Sequence, residues 1–95
     1  MKVRFERGAL ADLDEIFGYI AADSPAAAAR LVARIESVAA RIADTPHMGE
    51  ATRKPGFRRF PVGNYLIVYE VAANEVVIHY VRHGARLRPW EGEQT

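Results

Sequence analysis

The sequence predicts an α+β fold of order β-α-α-β-β-β, a small antiparallel sheet with a helical hairpin packed on one face. Three observations lead there. Residues 57–83 are rich in aromatic and β-branched types and are interrupted by Gly63-Asn64, a two-residue connection suited to a hairpin. Upstream, two long stretches carry apolar residues at helical spacing. Between them stands only Asp23-Ser24-Pro25, too short a joint for anything but an antiparallel helix pair.

Taken in order, Val3 and Phe5 alternate with Lys2, Arg4 and Glu6, which predicts a half-buried strand over 2–6. A helix is expected over 9–22, because Leu13, Ile16, Phe17 and Ile20 form a stripe with Asp12, Asp14 and Glu15 mostly off it. Those acids fall in its first half, where the helix dipole favours negative charge and accounts for them without a site. Ser24 suits an N-cap and Pro25 the first helical position, so a second helix is placed at 25–44. Its stripe of Ala28, Leu31, Val32, Ile35, Val38, Ala39 and Ile42 must meet the sheet, each large member being worth about 1.5–3 kcal/mol when buried.

Pro46 ends that helix and opens a loop over 45–56 containing Arg53-Lys54-Pro55. Strands follow at 57–62, 65–71 and 76–82, then a basic tail over 83–95. On the first of these strands Arg58, Phe60 and Val62 share one face, and Arg59 and Pro61 the other. On the last, alternation sends Val77 and Val81 toward the helices and leaves Tyr80 and Arg82 on the open face with one of Arg58 and Arg59.

With 95 residues and a hydrophobic fraction of 49%, the chain is read as one domain, 1–95, around one core. It has no cysteine, which excludes disulfides and thiolate metal sites and suits a reducing cytoplasm. Charges interrupt the amino-terminal segment, unlike a secretory signal, and no apolar run approaches the roughly 20 residues of a membrane span, so no membrane role is expected. The net charge of +1 hides an asymmetry. Residues 1–52 hold six Lys or Arg against eight Asp or Glu, whereas 53–88 hold seven against two. A basic half of this kind is the footprint of a surface that meets phosphates or an acidic protein.

His79 and His83 lie on a strand, about 13 Å apart, too far to share an ion. No metal and no cofactor is implied, and Walker, nucleophile-elbow, zincin and dinucleotide motifs are missing. His79 is expected against the core, His47 in a structural loop position, and His83 at a strand end as a candidate acid or base. Lys54, Arg58, Arg59, Arg82 and His83, with Tyr65 or Tyr80 as auxiliaries, are the types a metal-free ribonuclease uses to stabilise a phosphorane-like transition state and move a proton.

Ala11-Asp12-Leu13-Asp14-Glu15-Ile16 with Tyr19-Ile20, Thr45-Pro46-His47-Met48-Gly49, Gly63 to Tyr69, and Val81-Arg82-His83-Gly84-Ala85-Arg86 occur in this order. Together they resemble the ParE/RelE toxin superfamily, and its ParE-like branch in particular, over nearly the whole chain. The resemblance implies the toxin of a type II toxin–antitoxin system of the plasmid-stabilisation kind, neutralised in a hetero-oligomer by a ParD-like antitoxin. ParE-like members inhibit DNA gyrase without being known nucleases; RelE-like members cleave mRNA on the ribosome. The gyrase reading makes Arg58, Arg59, Arg82, His83, Arg86, Arg88 and Trp90 the target-binding residues and needs no catalytic residue. The alternative, a metal-independent endoribonuclease, would use Lys54, Arg58, Arg82 and His83. Where a RelE-like enzyme places a carboxyl-terminal tyrosine, this chain has Arg86-Leu87-Arg88-Pro89-Trp90. A third reading is a non-toxic binding module.

Overall fold

The structure, a computed structural model, describes residues 1–84. Strand β1 (Lys2–Phe5) leads into α1 (Arg7–Ala21) and α2 (Pro25–Asp44). A single 3-10 turn (Pro46–Met48) then precedes β2 (Glu50–Ala51), β3 (Phe57–Val62), β4 (Tyr65–Val71) and β5 (Glu75–His83). The two helices pack on one face of a five-stranded sheet of order β1-β5-β4-β3-β2, an α+β fold. Pairing from β2 through β5 is antiparallel, and β1 joins β5 in parallel, so the sheet is mixed rather than purely antiparallel. Parallel pairing needs a long crossover, and the connection from β1 to β5 runs through the helical hairpin and then β2, β3 and β4. The extra strand, β2, lies inside the segment read from sequence as loop, and two residue pairs with β3 are too few to leave a pattern.

Local chemistry explains the joints. The Ser24 hydroxyl accepts the Ala27 N–H at 3.2 Å, and Pro25 occupies the first turn of α2. Gly63 takes φ +61° while among the described residues no other type of residue has a positive φ, the pattern of a type II′ hairpin turn.

The core joins Ala9, Leu13 and Ile16 of α1 and Ile35, Val38, Ala39 and Ile42 of α2 to Val62, Ile67, Tyr69, Val76, Ile78 and Val81 of the sheet. Helix α1 contributes a narrower stripe than its periodicity suggests: Phe17, expected inside, is 40% exposed. The register between β4 and β5 slips once, with Val68 opposite Tyr80 but Tyr69 opposite Ile78, so His79 is an extra residue in a β-bulge. Alternation therefore restarts within β5. Val76 and Ile78 face the helices before the bulge and Val81 after it, whereas Val77 is buried outside the core cluster. The expectation that Val77 and Val81 share the helix face is overturned by this one inserted residue. His79 also leaves the core and stands half-buried on the opposite face, its Nε2 3.0 Å from Glu70 Oε1.

Tyr69 has no exposed surface and holds the segment before β2 in place. Its hydroxyl donates to Pro46 O at 2.8 Å and accepts the Gly49 N–H at 2.9 Å. Burial pushes the Tyr69 pKa above its ordinary value of 10.0, partly opposed by the Gly49 hydrogen bond. A raised folded-state pKa means that the neutral hydroxyl's stabilisation is complete below about pH 10 and declines as the pH rises through the folded value. Urea unfolding at pH 8 and pH 11 should therefore show an alkaline loss of stability that is smaller in Tyr69→Phe.

Candidate target-binding surface

Strand β1 covers β5 only as far as Ile78, which leaves residues 79–83 of β5 without a strand on that edge. Helix α1 takes the vacant place. The Glu6 N–H reaches Ile78 O at 2.9 Å, and Gly8 passes so close that a Cβ there would stand 3.5 Å from His79 O. One turn further along, Asp12 Oδ2 accepts the Val81 N–H at 2.9 Å and lies 3.4 Å from Arg82 Nε. A carboxylate thus caps a sheet edge and holds an arginine at the same time. The helix dipole expected to account for Asp12 does not reach it, because α1 begins at Arg7 and its first turn contains no acid. The dipole acts within a helix's first turn, so the contact with β5 is the better account.

Around this contact lies a cleft of about 350 Å³ lined by Asp12, Glu15, Ile16, Tyr65, Val81, Arg82 and His83. The His83 ring meets Tyr65 edge-on, with centroids 5.3 Å apart, and the Arg82 guanidinium sits 4.5 Å from the Tyr80 ring centroid. Both tyrosines proposed as auxiliaries therefore touch the strand-end pair. Arg82 and Tyr80 share the open face with Arg59, following the cross-strand register from β3 through β4 to β5.

Elsewhere on the open face, the Arg59 side chain is nearly buried, with Nε 3.3 Å from Glu50 Oε1. Lys54 Nζ stands 4.5 Å from the Phe57 ring, which in turn packs 4.8 Å from the His79 ring. At the β1 end, hydrogen bonds from Arg4 hold the Glu6 and Glu75 carboxyls below the usual carboxylate range.

Arg58 is elsewhere. It projects from the helix side of β3, where one guanidinium nitrogen donates to Gly49 O at 2.7 Å and lies 3.4 Å from His47 O. His47 is exposed, and its backbone carbonyl makes this contact. Four ladder steps and two strand spacings separate Arg58 from His83, roughly 16 Å between backbones. The structure thus brings Arg82 and His83 together, places Arg59 and Lys54 elsewhere on the open face, and puts Arg58 on the other side. Arg86, Arg88 and Trp90 lie outside the described residues.

Asp12 and Glu15 are the cleft residues that sequence reasoning set aside. No local pattern could have paired Asp12 with a strand 69 positions away. Among the described residues no group of three or more His, Asp or Glu is placed to hold a metal ion, and no helix is long and apolar enough to cross a membrane.

Comparison with known proteins places this architecture. Residues 3–88 match the family model described as the ParE toxin of the type II toxin–antitoxin system parDE. Toxin RelE2 of Caulobacter vibrioides is 39% identical over 79 residues, covering 83% of this chain and 90% of that protein. Two solved structures share the fold. One, a chromosomal ParDE system from P. aeruginosa, has a TM-score of 0.75 at 23% identity over 87% of this chain and 95% of its own. The other, the RelBE2 toxin–antitoxin complex from Mycobacterium tuberculosis, has a TM-score of 0.61 at 24% identity over 86% and 88%. With the family model spanning nearly all of the helical hairpin and sheet, the chain belongs to the ParE toxin family of type II toxin–antitoxin systems.

Proposed function

We propose that this toxin acts in the cytoplasm by inhibiting DNA gyrase and that a ParD-like antitoxin neutralises it. The observation that carries this reading is the separation of Arg58 from Arg82. A metal-free nuclease needs its cations and its proton-transfer group around one phosphate. Here Arg58 is committed to backbone carbonyls on the helix side, while Arg82 faces the open side with His83 at the cleft mouth. Arg82 and His83 lead into the basic residues Arg86 and Arg88 and the aromatic Trp90, a composition suited to an interaction hot spot. Arg59, on the same open face as Arg82, extends that surface, while Arg58, on the helix side, falls outside it. The antitoxin partner is supported by the family and by the complexes in which its structural relatives were solved.

Ribosome-dependent mRNA cleavage is the second reading, favoured by His83 held against Tyr65 beside Arg82 and by the name of the Caulobacter relative. One experiment separates them. Purified toxin is titrated into a gyrase supercoiling assay with and without its antitoxin, and in parallel into a translation reaction whose mRNA is mapped by primer extension. Loss of supercoiling that the antitoxin restores, with intact mRNA, is the expected result. Unchanged supercoiling at high toxin excess together with cleaved mRNA would transfer the function to the ribosome.

A further inference from the structure

Helix α2 carries a second basic surface, separate from the one on the sheet. Arg30, Arg34 and Arg41 are all exposed. At 3.6 residues per turn they fall within about 40° of one another around the helix and span roughly 16 Å of its length. Among the described residues none of the three side chains makes a hydrogen bond or ion pair. The dipole explains only the last of them, since Arg41 lies in the final turn whereas Arg30 stands near the positive amino-terminal end. Three neighbouring cations without counter-charges repel one another, and nothing in the fold requires them there.

Their surroundings narrow the partner. Ala26, Ala27, Ala33 and Ser37 lie beside the row, so nothing bulky keeps a ligand away from the helix. Shallow depressions flank it at both ends, one lined by Ala27, Arg30, Leu31 and Arg34, the other by Arg41, Asp44, Thr45 and Met48. Glu36 lies about 120–160° around the helix from the three, and Asp44 is the one acid at the margin. The nearby apolar side chain, Leu31, is packed against the core, so the row lacks the aromatic or aliphatic anchor of a protein interface. It also lacks the aromatic platform on which single-stranded bases stack. What remains is a row of arginines along one side of α2, whose planar donors match phosphate oxygens.

We propose that the Arg30–Arg34–Arg41 row is a docking surface for the phosphate backbone of duplex DNA, read without regard to sequence. A duplex presents closely spaced negative charge along a rigid line, and contacts of this kind set position rather than base preference. This surface is on the helical hairpin, away from the sheet residues assigned to the target, and does not depend on what that target is.

The test is fluorescence anisotropy of a short labelled duplex of mixed sequence, titrated with the purified chain at several salt concentrations. Each substitution of Arg30, Arg34 or Arg41 by Ala should reduce the slope of log K against log salt by about 0.9, and the triple variant by about 2.7. Arg7→Ala, exposed on α1, should leave the slope unchanged, and the triple Lys variant should retain it. Circular dichroism checks that each variant is folded. A folded triple Ala variant with the wild-type slope would overturn the proposal. So would polyglutamate, or a single strand of the same length, binding this row as tightly as the duplex.

Discussion

Gly49→Ala should lower the stability of this toxin by about 3 kcal/mol, the sum of overpacking and a disturbed buried hydrogen-bond pair. A Cβ at this position would stand 2.5 Å from Tyr69 Oη, 2.8 Å from Arg59 O and 2.9 Å from Tyr69 Cε1. None of these neighbours is the loose end of a flexible chain. Tyr69 is fully buried and bonded at both sides of its hydroxyl, and the Arg59 carbonyl belongs to a strand backbone. For a domain of this size the loss corresponds to a fall in Tm of roughly 12–24 °C. Thermal melting monitored by circular dichroism measures it directly. In a Tyr69→Phe background the same substitution should cost less, because the shortest of the three contacts is gone and the two sites are coupled. A fall of only a few degrees in the wild-type background would mean that the 46–51 segment yields easily and that Tyr69 does not hold it.

The second large effect is expected at Asp12. Asp12→Ala leaves the Val81 N–H without its acceptor on a partly buried strand edge and removes the counter-charge of Arg82. We expect a loss of about 2 kcal/mol, most of it from the unsatisfied donor, since both charged side chains retain contact with solvent that screens the pair. Asp12→Asn keeps an oxygen for the Val81 N–H and should recover more than half of the loss. Urea unfolding of the three proteins gives the comparison. If Asn proves as damaging as Ala, the ion pair with Arg82 dominates and the edge-capping account is wrong. The same pair of variants also tests the proposed role of Arg82 in target binding, because Asp12 holds its guanidinium beside the cleft.

The contrast between Asp12 and Ser24 shows what the sequence could disclose. Ser24 acts on a backbone N–H three residues away, and its role is plain from Ser-Pro before an alanine-rich helix. Asp12 acts on a strand 69 residues away, and along the chain it looks like any acid on a helix. The helical hairpin, the Gly63-Asn64 turn and the strand content were legible for the same reason as Ser24: each rests on local periodicity or a local dihedral requirement. The parallel place of β1, the two-residue β2 and the bulge at His79 were not, since each is decided by a partner elsewhere in the sheet. The bulge had the widest effect on the site. One inserted residue exchanged the predicted positions of Val77 and Ile78 but left Arg82 on the open face, where simple alternation from the strand's far end also puts it. The carbonyl ties of Arg58 were hidden too, because backbone acceptors such as Gly49 O have no signature in a sequence.

The pairing of Lys2 with Glu75 has a consequence for how the chain is made. Strand β1 finds its partner only after 73 further residues have been synthesised, a delay of roughly 4–15 s at ordinary elongation rates. During that interval the apolar stripes of both helices lack the β5 residues Val76, Ile78 and Val81 that complete the core, and so distant a contact is slow to close even once the chain is complete. The nascent chain is therefore exposed to chaperones and proteases before the fold is complete, and chains terminated short of Glu75 would lack the strand that completes it.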